Sequence, residues 1–95
     1  MSQYRTQTKI IADILTTARD MNVDNEGVGI TTLLRRGNVS YSRMTKLITG
    51  LVGAGLLLEV TLERNAKYEL SEKGRKFLQE YTQFQDFAKS FGLRL

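Results

Sequence analysis

Residues 37–57 read Gly37-Asn38-Val39-Ser40-Tyr41-Ser42-Arg43-Met44-Thr45-Lys46-Leu47-Ile48-Thr49-Gly50-Leu51-Val52-Gly53-Ala54-Gly55-Leu56-Leu57. Ser40 is placed to cap a helix through its side-chain oxygen, and Val39 before it can pack on Met44, fixing the angle at which the chain enters that helix. Met44, Leu47, Ile48, Leu51 and Val52 recur as one buried helical stripe. Gly55 supplies a stop just before the sequence turns to strand character, so the pattern predicts a helix over about 40–54. Gly50 and Gly53 inside it each cost about 1 kcal/mol relative to Ala, which points to a close packing partner or backbone approach. Upstream, Ile30 to Arg36 reads as a short helix with Thr31 as candidate cap and Gly37 as left-handed stop, and Asn38-Val39 completes a tight turn. Two helices joined by so short a turn form a helix-turn-helix.

Towards the N-terminus, Ile10, Ile11, Ile14, Leu15 and Ala18 share one helical stripe, predicting a first helix from about 4 to 21. The segment Asn22 to Gly29 is polar, acidic and carries two glycines, so it reads as a loop. Asp20, Asn22 and Asp24 superficially suggest a calcium loop. Asn25, however, stands where the sharp-turn glycine belongs and Thr31 where the bidentate Glu belongs, so no metal is expected.

Towards the C-terminus, Leu57 to Glu63 reads as a strand, Leu58, Val60 and Leu62 alternating against Glu59, Thr61 and Glu63. Arg64-Asn65-Ala66 turns the chain and Lys67 to Leu70 returns as a second strand. Ser71 caps a final helix, with Glu72 in its first turn, running to about Phe91. Phe77, Tyr81, Phe84, Ala88, Phe91 and Leu95 lie at alternating spacings of four and three, an a/d heptad seam. A helix of about twenty residues is roughly 30 Å long and outreaches a domain this size. The seam therefore suits a second copy of the chain, the alternative being that it folds back over the first helix.

The order is helix, helix, helix, hairpin, helix: mainly α with a small β-hairpin, a winged helix-turn-helix with a long C-terminal helix. Asn38-Val39-Ser40-Tyr41, Leu51-Val52-Gly53-Ala54-Gly55-Leu56-Leu57 and Tyr68-Glu69-Leu70-Ser71-Glu72-Lys73-Gly74 resemble the turn, recognition-helix end and wing-to-helix junction of small archaeal winged-helix proteins. Over about residues 8 to 90 the chain is similar to the ten-kilodalton crenarchaeal chromatin-protein family. That resemblance implies DNA binding and dimerisation through a long C-terminal helix in an antiparallel coiled coil. It divides the chain into a winged domain, 1–74, and a dimerising helix, 75–95.

Charge placement points the same way. Ile30 to Leu58 holds Arg35, Arg36, Arg43 and Lys46 and no acidic residue. A helix entering a major groove needs basic and small polar side chains on its outward face, because phosphates attract cations and short polar groups reach base edges. Ser40, Ser42, Arg43, Thr45, Lys46 and Thr49 are the candidates there, Arg35 and Arg36 adjoin them, and Arg64 and Lys67 flank the wing for backbone or minor-groove contact. Tyr41 can reach a phosphate or pack against the domain; packing is the favoured expectation, because its ring follows the Val39 contact.

The 95 residues allow one domain with one modest core. With no Cys and no His, disulfides and the usual zinc ligands are excluded. The ten carboxylates show no paired arrangement at helix or motif spacing, so neither an enzyme nor a cofactor is expected. A formal net charge of +4 favours polyanionic partners. No apolar run approaches the roughly 18–20 residues of a membrane span and MSQYRTQTK lacks a signal-peptide core, giving the expectation of a cytoplasmic protein. Two functions stay open: a double-stranded DNA-binding homodimer, regulatory or chromatin-associated, and a winged helix that docks on other proteins.

Overall fold

The computed structural model describes residues 6–62 and 65–93. Helix α1 (Gln7–Asp20) starts later than the expected residue 4: Thr6 is its extended N-cap, the hydroxyl accepting the Lys9 N–H at 3.1 Å, and residues 4 and 5 lie outside the described residues. Its buried face is Ile10, Ala12, Ile14, Leu15, Thr17 and Ala18.

The acidic segment does not remain loop to its end. Val28–Gly29 forms a short strand, β1, antiparallel to the returning hairpin strand β3 (Asn65–Leu70), with Val28 opposite Tyr68 and Gly29 opposite Lys67. Gly27 allows this approach: its φ is +92°, and a Cβ there would stand 2.9 Å from that of Lys67. With β2 (Leu57–Leu62) on the other side of β3, the expected hairpin is a three-stranded sheet in the order β1-β3-β2.

Helix α2 (Ile30–Gly37) is preceded by Gly29 as its N-cap with no side-chain cap, so Thr31 does not fill that role. Its stop is Asn38, at φ 55°, rather than Gly37. Gly37 is helical and buried, and a Cβ there would meet Met44 Cε at 2.7 Å, so the Met44 methyl would have to shift to admit one.

Helix α3 (Tyr41–Gly53) begins as the sequence requires: the Ser40 hydroxyl accepts the Arg43 N–H at 3.1 Å, and partly buried Val39 packs against the core that holds Met44. It ends in a Schellman turn, Leu56 N–H donating to the Leu51 carbonyl (2.9 Å) and Gly55 N–H to that of Val52 (3.0 Å), with Gly55 at φ +83°. Gly50 and Gly53 face open space, so no packing partner accounts for them. In β2 the core residue is Leu57 (1% exposed) and Leu58 points out (50%), reversing the expected apolar face. β3 starts earlier than expected, Asn65 and Ala66 pairing with Leu62 and Thr61.

Ile14, Leu15, Leu33, Met44 and Leu57 are fully buried, so α1, α2, α3 and β2 meet in one core, on which Leu70 of β3 closes. Helix α4 (Glu72–Ser90) is rooted in that core by Leu78 and by Gly74, where a Cβ would collide with the Leu56 carbonyl and Leu70 Cδ1. The molecule measures 48 × 30 × 23 Å.

Candidate nucleic-acid interface

On α3, Met44, Ile48 and Leu51 turn inward, and Ser42, Arg43, Thr45, Lys46 and Thr49 are all exposed. At about 100° per residue, Tyr41 and Thr45 lie along one edge of the exposed arc, Ser42, Thr49, Gly53 and Lys46 along its middle, and Arg43 and Gly50 along the other edge. The middle is thus built from short side chains around one ammonium, a profile slim enough for a groove. No carboxylate stands on this helix.

Several of the candidate hydroxyls already have local duties. Ser40 accepts from Arg43 N–H and keeps its own hydrogen to donate. Thr45 donates to the Tyr41 carbonyl at 2.9 Å, leaving its lone pairs outward. Lys73, from α4, donates to the Ala54 carbonyl at 2.9 Å and closes the negative end of α3.

Arg35 and Arg36 are exposed in the last turn of α2. Arg36 helps hold the Asp20 carboxyl below its ordinary range, the larger cause being the Arg19 guanidinium, which donates to Asp20 at 2.8 Å. Arg36 therefore has an acidic neighbour at the end of α1. On the wing, Lys67 is half-buried and Arg64 lies outside the described residues.

Tyr41 is 64% exposed, against the expectation that it packs. It borders an open groove of about 400 Å³ between α3 and the sheet, shared with Thr31, Thr45, Asn65, Lys67 and Tyr68. The Tyr68 phenol is pushed above its ordinary pKa by partial burial, by Glu59 and by the phenol of Tyr41.

The structure separates the candidate seam on α4. Phe77 and Tyr81 stack, centroids 6.4 Å apart, and pack against the chain's own core, while Ala88 is buried. Phe84, Phe87 and Phe91 are exposed at 55%, 61% and 68%. Leu95 lies outside the described residues. Gly92, at φ +79°, turns the chain in a second Schellman motif whose Leu93 N–H donates to the Ala88 carbonyl at 3.0 Å. Phe84, Phe87, Ala88, Phe91 and Leu93 thereby line an apolar cup of about 250 Å³. Leu93 was missed from sequence, although the glycine before it is the signal for a helix end that folds back.

A helix-turn-helix whose second helix runs into a β-ribbon, with a third strand closing the sheet, is a winged helix. The chain belongs to the winged helix-turn-helix family, whose model matches residues 4–89. Among solved structures it is similar to Sso10a-2, a DNA-binding protein from Sulfolobus solfataricus, with a TM-score of 0.75 and 24% identity over 92% of this chain and 85% of that one. The winged fold with a long terminal helix, expected from the resemblance, is thus shared. No curated protein matches the chain. Among the described residues no helix is long and apolar enough to cross a membrane.

Proposed function

We propose that this chain is a double-stranded DNA-binding protein that inserts α3 into the major groove and performs no catalysis. The observation that carries the reading is the exposed face of α3, where Arg43 and Lys46 stand among short polar side chains with no carboxylate on the helix. A face serving only solubility mixes both signs. The DNA-binding activity of Sso10a-2, which has the same fold, supports it. Ser40, Ser42, Thr45 and Thr49 contact base edges or phosphates, Arg35 and Arg36 add backbone charge, and Arg64 and Lys67 hold the backbone on the wing side.

Residues 1–74 form the DNA-engaging unit, and 75–95 the helix that pairs with its counterpart in a second copy. The support is the apolar cup and the exposed Phe84, Phe87 and Phe91. A dimer carries two α3 faces, linking two weak sites at high effective concentration. The test is a duplex titration at two salt concentrations with candidate operator and random DNA. Salt-dependent binding of both supports the reading, a large preference favours a regulator, and near-equal affinity an architectural role. Absence of duplex binding transfers the site to protein docking.

A further inference from the structure

Between α3 and the wing runs the open groove of about 400 Å³ bordered by Thr31, Tyr41, Thr45, Asn65, Lys67 and Tyr68. Its polar lining consists of hydroxyls, one amide and one ammonium, with no carboxylate among the lining residues. Glu59, paired with Tyr68 across the sheet, is not part of it. Tyr41 and Thr45 belong both to this groove and to the wing-side edge of the α3 face. Anything occupying the groove therefore lies alongside whatever α3 enters.

We infer that this groove seats the sugar-phosphate backbone flanking the major groove that α3 enters, with the Tyr41 and Tyr68 hydroxyls and the Lys67 ammonium directed at consecutive phosphates. The inference rests on the DNA-binding reading and adds to it a binding site with two tyrosines that charge patterning alone cannot reveal. A major groove is walled by two backbones, so a helix inside it has phosphates along both edges. Arg43 serves the far edge, and the groove serves the near one. The chemistry suits a phosphodiester: neutral phenols donate to an anionic oxygen, and Lys67 supplies a point charge. A phenol with its ordinary pKa of about 10 is protonated, hence a donor, throughout the neutral range, and partial burial pushes that of Tyr68 further in the same direction.

The two kinds of contact have different salt signatures. A phenol carries no charge and releases no counterion, whereas an ammonium on a phosphate contributes about 0.9 to the log–log slope. Duplex affinity is measured across a salt series for the unmodified protein, Tyr41→Phe, Tyr68→Phe and Lys67→Gln. The expected result is a loss of about tenfold for each Tyr→Phe at unchanged slope, and for Lys67→Gln a slope smaller by about 0.9. Tyr41 is exposed, so Tyr41→Phe carries the test even if Tyr68→Phe unfolds. Unchanged affinity in Tyr41→Phe, with the unmodified protein still binding, overturns the seat and leaves the α3 reading standing. Failure of the unmodified protein to bind any duplex removes both. In a separate arm, inorganic phosphate is titrated while the Tyr41 and Tyr68 amide resonances are followed; no shift is expected, and saturable binding of the free ion overturns the duplex assignment.

Discussion

The Ser71 hydroxyl donates to the Gly55 carbonyl at 2.6 Å while accepting the Gly74 N–H at 2.9 Å. One buried side chain thus caps α4 and holds the turn that ends α3. In Ser71→Ala the N-cap is lost and the Gly55 carbonyl loses its hydroxyl partner, so stability should fall by about 1–2 kcal/mol. Thermal unfolding checks this, and an unchanged midpoint would show that water replaces the hydroxyl at both sites.

Arg43→Ala and Lys46→Ala should each reduce the magnitude of the log–log salt slope for duplex binding by about 0.9, if each cation neutralises one phosphate. Both side chains are exposed, so neither variant should change the melting temperature appreciably. Unaltered affinity in the double variant removes α3 from the interface.

Gly50 and Gly53 lie inside α3 at negative φ with open space where a Cβ would stand. Replacing each with Ala should stabilise the free protein by up to about 1 kcal/mol. On the proposed reading the added methyls stand between helix and groove, so duplex affinity should move the opposite way. Paired melting and binding curves test both signs, and tighter binding in Gly53→Ala contradicts the close approach.

Phe84→Glu with Phe91→Glu places charge on the apolar cup without touching the buried core. The variant should keep its fold, sediment as a monomer and bind duplex much more weakly. An unmodified protein that is itself monomeric at tens of micromolar would assign the cup to a different partner.

Burial pushes the Tyr68 and Tyr81 phenols up, with Glu59 and Tyr41 adding to the first and Asp13 to the second. The fold retains these protons above the pH at which the unfolded chain, near its ordinary value of about 10, releases them. Stability is therefore complete below pH 10 and should decline as pH rises beyond it. Denaturant midpoints between pH 9 and 11 should fall less steeply in Tyr81→Phe than in the unmodified protein; parallel slopes would mean the phenol titrates alike in both states.

What could be read from sequence was local. Ser40 and Gly55 act within a few residues of themselves, as does Ser71 in capping α4, so α3, its entry and its exit follow from chemistry the linear pattern contains, whereas the bond from Ser71 back to Gly55 spans sixteen residues. What could not be read depends on distant partners. Two residues, Val28 and Gly29, show no alternation, and become a strand only because β3 lies beside them. Gly37 looked like a stop because glycine favours positive φ; it is instead helical and packed against the Met44 methyl, and Asn38 takes the left-handed turn. Leu57 and Leu58 both suit a strand's inner face, and the sheet's packing against the helices selected Leu57. At the candidate site the cations were legible as an acid-free stretch, whereas the Tyr41–Tyr68 groove joins two elements that only the folded sheet brings together.

Gly74 touches the Leu56 carbonyl so closely that no side chain fits between them. With Ser71 bonded to Gly55 and Lys73 to Ala54, three successive contacts within one helical turn weld α4 to the end of α3. Helix α4 is a strut rather than a tether: whatever grips its far end grips α3 as well. On the proposed pairing, the angle and spacing at which a second copy presents its own α3 would be set by this weld, as the marks on a ruler are set before anything is measured.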